Sequence, residues 1–121
     1  MHQKILRGKV IKGKNRGTDL GFPTANINLH RRISEGIYIS SSKVGSKSYP
    51  SLTFIGTAKT FGEKEVRAET YFLSKVGNIY GKWLSVKLIK KIRNNQKFNS
   101  EKDLVVQMEK DKIEAQKYFK I

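Results

Sequence analysis

Residues 1–92 break into short runs of β-forming residues separated by turn-rich stretches, and a helical pattern begins only afterwards. The runs are 4–12 (KILRGKVIK), 24–29 (TANINL), 36–44 (GIYISSSKV), 48–56 (SYPSLTFIG), 66–73 (VRAETYFL) and 82–92 (KWLSVKLIKKI). Gly45-Ser46-Lys47 separates the third run from the fourth and reads as a hairpin turn. In the fifth run Val66, Ala68, Thr70 and Phe72 alternate with Arg67, Glu69, Tyr71 and Leu73, so the two sets face opposite ways. Strands this short, spaced this regularly, predict a closed or sandwiched antiparallel sheet.

The tail has a different period. Ser100 followed by Asp103 reads as a helix N-cap. Leu104, Met108, Ala115 and Phe119, widened by Val105 and Tyr118, recur at helical spacing over 101–118. That stripe predicts a helix packed on the sheet. The chain has 121 residues, enough for a single domain over 1–121 with its own core.

Composition removes several classes of chemistry. There is no cysteine and only two histidines, His2 and His30, which excludes a disulfide framework, a thiolate metal site and a histidine zinc site. No apolar run reaches membrane-span length and no signal-peptide h-region opens the chain, so a cytoplasmic protein without a membrane partner is expected. Twenty-five Lys and Arg against ten acids give a formal net charge of +15. Such a field draws anions without saying which.

Gly8 to Asn15 nearly matches the phosphate loop G-x-x-x-x-G-K-[ST] and fails. Asn15 lacks the magnesium-binding hydroxyl, and the following RGTDLGFP cannot start the helix that such a loop requires. The stretch 13–27 (GKNRGTDLGFPTANI) is more informative. Gly13, Gly17 and Gly21 with Lys14 and Arg16 suit a cationic flap whose backbone N–H groups cradle phosphate, although an ordinary glycine-rich loop has the same composition. In an extended segment Thr24 and Asn26 point to one face, offering two oxygen donors suited to a hard cation. A pair of turn-stabilising polar residues would read the same way.

GKVIKGKNRG followed by GFPTANI resembles the signature of the riboflavin kinase family, which is also the C-terminal module of bacterial bifunctional FAD synthetases. The likeness continues in order through Gly36-Ile37-Tyr38, Ile55-Gly56-Thr57-Ala58-Lys59-Thr60-Phe61, Ala68-Glu69-Thr70-Tyr71, Tyr80-Gly81, Ile92-Arg93, Lys97-Phe98, Leu104, Gln107 and Asp111. The resemblance implies a mainly β fold, a six-stranded antiparallel Greek-key barrel with a C-terminal α-helix. It implies transfer of the γ-phosphoryl group of ATP to the 5′-hydroxyl of riboflavin, giving FMN and ADP.

By the same resemblance Thr24 and Asn26 hold Mg2+ or another divalent ion. Gly13, Lys14, Arg16, Gly17, Gly21 and Pro23 join them in binding the nucleotide. Glu69 is the general base, and Tyr80, Arg93 and Phe98 are candidate flavin contacts. From the residues alone Glu69 could equally be a surface ion-pair partner of Arg67 or Lys64.

Several positions depart from the family pattern. Lys59 replaces a Pro, Phe54 replaces an Asn that commonly precedes Ile-Gly, Thr18 stands where many members have Arg, and 74–78 replaces a commonly acidic loop. The expected partners are riboflavin, FMN, ATP and ADP, with no specific nucleic acid, for a monomer that stops at FMN. Two rival readings are a non-catalytic flavin carrier and a nucleic-acid-binding barrel that stacks bases on Tyr38, Phe54, Phe61 and Tyr71.

Overall fold

The computed structural model describes residues 4–11, 24–29, 32–60 and 63–121. Its strands are β1 (Lys4–Lys9), β2 (Ala25–Leu29), β3 (Gly36–Val44), β4 (Lys47–Thr60), β5 (Glu63–Phe72) and β6 (Trp83–Arg93), followed by helix α1 (Glu101–Phe119). All pair antiparallel in one sheet of order β1-β6-β3-β4-β5-β2. Consecutive β3, β4 and β5, with β6 returning beside β3, make the Greek key.

The sheet curls until its edges nearly meet. Past β1, Ile11 bridges to Asn26 of β2, with Ile11 N–H donating to the Asn26 carbonyl at 2.8 Å. Close approach needs a residue without a side chain at Gly8, where a Cβ would stand 3.1 Å from Ile27 Cβ. The first run therefore pairs with β6 as far as Lys9, and Ile11 serves closure. Lys47, expected in the turn, pairs with Val44, which leaves Gly45 and Ser46 as a two-residue connection.

Alternation divides each strand between two cores. Leu6, Ile27, Ile55, Ala68, Leu84 and Val86 fill the barrel. Ser40, Ser42, Ser51, Thr53 and Thr70 also point inward and are fully buried. Their hydroxyls satisfy one another across strands, Ser40 with Ser51 at 2.7 Å and Thr53 at 2.8 Å, and Thr53 with Thr70 at 3.0 Å. Buried hydroxyls without partners would destabilise the barrel.

On the outer wall, Ile37, Ile39 and Leu52 pack against Ala115 of α1, with Phe54, Tyr71 and Phe119 at the margin. Ser100 caps the helix by accepting from Asp103 N–H at 3.1 Å. The stripe differs from expectation at two positions. Tyr118 is half exposed and stacks edge-on with Phe119, whereas Asp111 is buried beside Met108 and Ala115. Tyr38 and Tyr71 are half-buried against the two cores; Phe61 lies outside the described residues.

Candidate active site

Directly opposed residues of antiparallel strands share a face. Asn26 opposes Glu69, Glu69 opposes Phe54, Phe54 opposes Ile37, and Ile37 opposes Arg93. Because Ala25, Ile27 and Ala68 point into the barrel, this row lies on the outer wall. It brings three expected site residues, Asn26, Glu69 and Arg93, into a line across five strands.

At one end of the row lies a cavity of about 810 Å³ lined by Thr24, Asn26, Tyr71, Asn78 and Tyr80, among others. Asn26 is 3% exposed, yet its Oδ1 has no hydrogen-bond partner. A buried amide oxygen without a donor is costly, and a ligand or cation at this position would satisfy it. Thr24 supplies a hydroxyl to the same cavity, so the donor set fits a hard cation bound through oxygen. Gly13, Lys14, Arg16, Gly17, Gly21 and Pro23 lie outside the described residues.

A second depression, about 460 Å³, is lined by Ile37, Phe54, Arg93, Lys97, Phe98 and Leu104. The Arg93 guanidinium lies over the Phe98 ring, 5.9 Å from its centroid. Arg93 itself is held from the helix. Its Nε donates to Asp111 Oδ1 and Oδ2 at 2.9 and 3.1 Å, and Nη2 donates to Oδ2 at 2.7 Å. Gln107 Nε2 donates to Oδ1 at 3.0 Å, so the buried carboxylate is fully engaged. Sequence reasoning placed Asp111 in the pattern without a role; its spacing from Met108 and Ala115 on one helix face was the available signal. Tyr80 is not brought together with Arg93 and Phe98, because it stands in the larger cavity with Thr24 and Asn26.

Glu69 lies in the row between Asn26, which lines the larger cavity, and Phe54, which lines the smaller. Burial pushes its carboxyl pKa above the ordinary value, and the Arg67 charge nearby opposes that rise without cancelling it. A solvated surface ion pair would shift it the other way. Phe54, the departure that follows β4 into this row, is the apolar neighbour opposite Glu69. Lys64, the other cation considered for Glu69, has a side chain outside the described set.

The family model for riboflavin kinase (flavokinase) matches residues 1–119. The Escherichia coli K12 bifunctional riboflavin kinase/FMN adenylyltransferase is 35% identical over 98% of this chain and 39% of its own length. A Trypanosoma brucei riboflavin kinase structure superposes with a TM-score of 0.68 at 28% identity, covering 99% of this chain and 82% of that one. A Streptococcus pneumoniae structure described as a macrolide-efflux protein superposes with a TM-score of 0.85 at 30% identity, over 93% of this chain and 38% of that one. The chain spans less than half the length of the curated relatives it matches. Among the described residues no helix is long and apolar enough to cross a membrane.

Proposed function

Since this chain belongs to the riboflavin kinase family, we propose that it transfers the γ-phosphoryl group of ATP to the ribityl 5′-hydroxyl of riboflavin. One observation carries the reading. The row Asn26–Glu69–Phe54–Ile37–Arg93 sets a carboxylate between a cavity that carries Thr24 and Asn26 and an aromatic, cationic groove.

The nucleotide occupies the cavity, with its phosphates toward Thr24, Asn26 and the glycine-rich segment of Gly13, Lys14, Arg16, Gly17, Gly21 and Pro23. The flavin occupies the groove between Phe54, Phe98 and Arg93. Neighbouring strands stand about 4.8 Å apart. A hydroxyl reaching from the groove to Glu69 is therefore one strand from the phosphate side of the row.

Glu69 accepts the hydroxyl proton as the oxygen attacks the γ-phosphorus, and the bond to the bridging oxygen breaks to release ADP. A raised pKa suits a base that must take and return a proton near neutral pH. Phosphoryl transfer otherwise depends on positioning and charge neutralisation. Mg2+ held by Thr24 and Asn26 would neutralise phosphate oxygens. Tyr80 belongs to the nucleotide side on this reading, and Arg93 and Phe98 to the flavin side.

This domain works as a monomer in the cytoplasm and reads no nucleic-acid sequence. Incubation with riboflavin and MgATP should yield FMN and ADP in equal amounts. Binding of riboflavin without any turnover would mark a flavin carrier instead.

A further inference from the structure

The phosphate site accounts for Lys14 and Arg16. It does not account for Arg7, Lys9, Lys43 and Lys87. Strands β1, β3, β4 and β6 contain no Asp or Glu. On the outer wall, Arg7 opposes Ser85 and Ser85 opposes Lys43, so two cations flank a serine in one row across three strands. Lys9 opposes Trp83, and Lys87 opposes Ile5.

Trp83 is 57% exposed, and the Arg7 guanidinium lies over its ring, 5.1 Å from the centroid. Arg7, Lys43, Gly45, Trp83 and Ser85 enclose a depression of about 340 Å³. None of these residues lines either depression of the active site.

The chemistry of this face selects its occupant. An apolar partner would cover Trp83 and leave the cations beside it uncompensated. A plain polyanion would pair the cations and leave the indole unused. Duplex nucleic acid keeps its bases stacked within the helix. A single strand offers both phosphates and free base faces, and aromatic–base stacking beside a cationic track is the usual form of sequence-independent binding.

We infer that the outer face of β1, β6 and β3 binds single-stranded nucleic acid without reading its sequence. One base stacks on the face of Trp83 away from Arg7. The backbone phosphates lie along Arg7, Lys9, Lys43 and Lys87. This inference stands independently of the kinase reading, since it uses none of that site's residues.

Trp83 is the only tryptophan of the chain, so its fluorescence reports on the proposed contact directly. A short oligothymidylate should quench it to saturation, while polyphosphate of equal charge should not. In an anisotropy titration with labelled oligothymidylate, Trp83→Leu should weaken binding roughly 5- to 150-fold, the worth of one lost base stack. Arg7→Gln and Lys43→Gln should each flatten the slope of log affinity against log salt by about 0.7.

All three positions are on the exposed outer wall, so circular dichroism and FMN formation should match the parent chain. Absence of quenching, or equal binding of oligothymidylate, polyphosphate and polyglutamate that ignores Trp83→Leu, would overturn the inference. Tighter binding of polyglutamate than oligothymidylate would overturn it in favour of an acidic protein partner.

Discussion

Asp111→Ala is the substitution whose consequence follows most completely from the structure. Asp111 is 1% exposed and accepts from three atoms, two of them on Arg93. Removing its carboxylate leaves Arg93, with a side chain only 15% exposed, without its counter-charge. Breaking one partner of a buried pair typically costs about 3–5 kcal/mol. Arg93 retains some access to water, which places the expected loss near the lower end, about 3 kcal/mol. With about 2.1 cal/mol/K of unfolding entropy per residue, a chain of 121 residues moves roughly 4 °C per kcal/mol, so the melting temperature should fall by about 12 °C.

The cause is tested by a double-mutant cycle. Arg93→Ala together with Asp111→Ala should cost clearly less than the sum of the singles, because no unpaired charge remains. Riboflavin affinity should fall in each variant, since the pair holds Arg93 over Phe98 in the groove. The assay is thermal melting by circular dichroism with riboflavin titration on the same samples. Additive single and double losses, or a melting temperature unmoved by Asp111→Ala, would refute the reasoning.

Three further outcomes are expected. Met108→Ala should cost about 2–5 kcal/mol in urea unfolding, because Met108 is 6% exposed under the helix; Leu104→Ala should cost less, since Leu104 is only partly buried at the groove. Thr24→Ala should raise the divalent-ion concentration needed for turnover with the melting curve unchanged, and full FMN formation in excess chelator would contradict the oxygen-donor reading.

Glu69 should also leave a signature on pH. Its folded-state pKa is raised by burial, so its proton is held more tightly in the folded chain and ionisation costs stability. Stability should therefore decline as pH rises from the ordinary carboxylate value through the raised one. Glu69→Gln should be the more stable protein above that window, and its advantage should vanish below it. A pH-independent difference in melting temperature would contradict this.

The elements were legible because each carries a local signal. Alternation in 66–73, the short connection at Gly45 and the Ser100 cap all appear in the structure where the pattern put them. The arrangement of the site was not legible, because it depends on register. That Asn26, Glu69 and Phe54 stand in one row follows from how β2, β5 and β4 pair, and no property of a single strand encodes it. Asp111 escaped for a different reason. A charged residue in a helical stripe reads as solvated surface until its partner, here Arg93, is seen across the fold. The buried hydroxyls of Ser40, Ser42 and Ser51 were likewise hidden, since serine looks polar in sequence and is satisfied only by other hydroxyls brought from neighbouring strands.

The central claim is that Glu69 takes a proton from an acceptor hydroxyl between two substrate sites. Single-turnover phosphorylation of riboflavin by Glu69→Gln, with riboflavin and ATP affinities measured on the same preparation, tests it most directly. The substitution keeps the shape of the side chain and removes its basicity. The account predicts a loss of about 10²- to 10⁴-fold in turnover with both affinities kept. Turnover near that of the parent chain would remove Glu69 from the chemistry and leave the row as a binding surface alone.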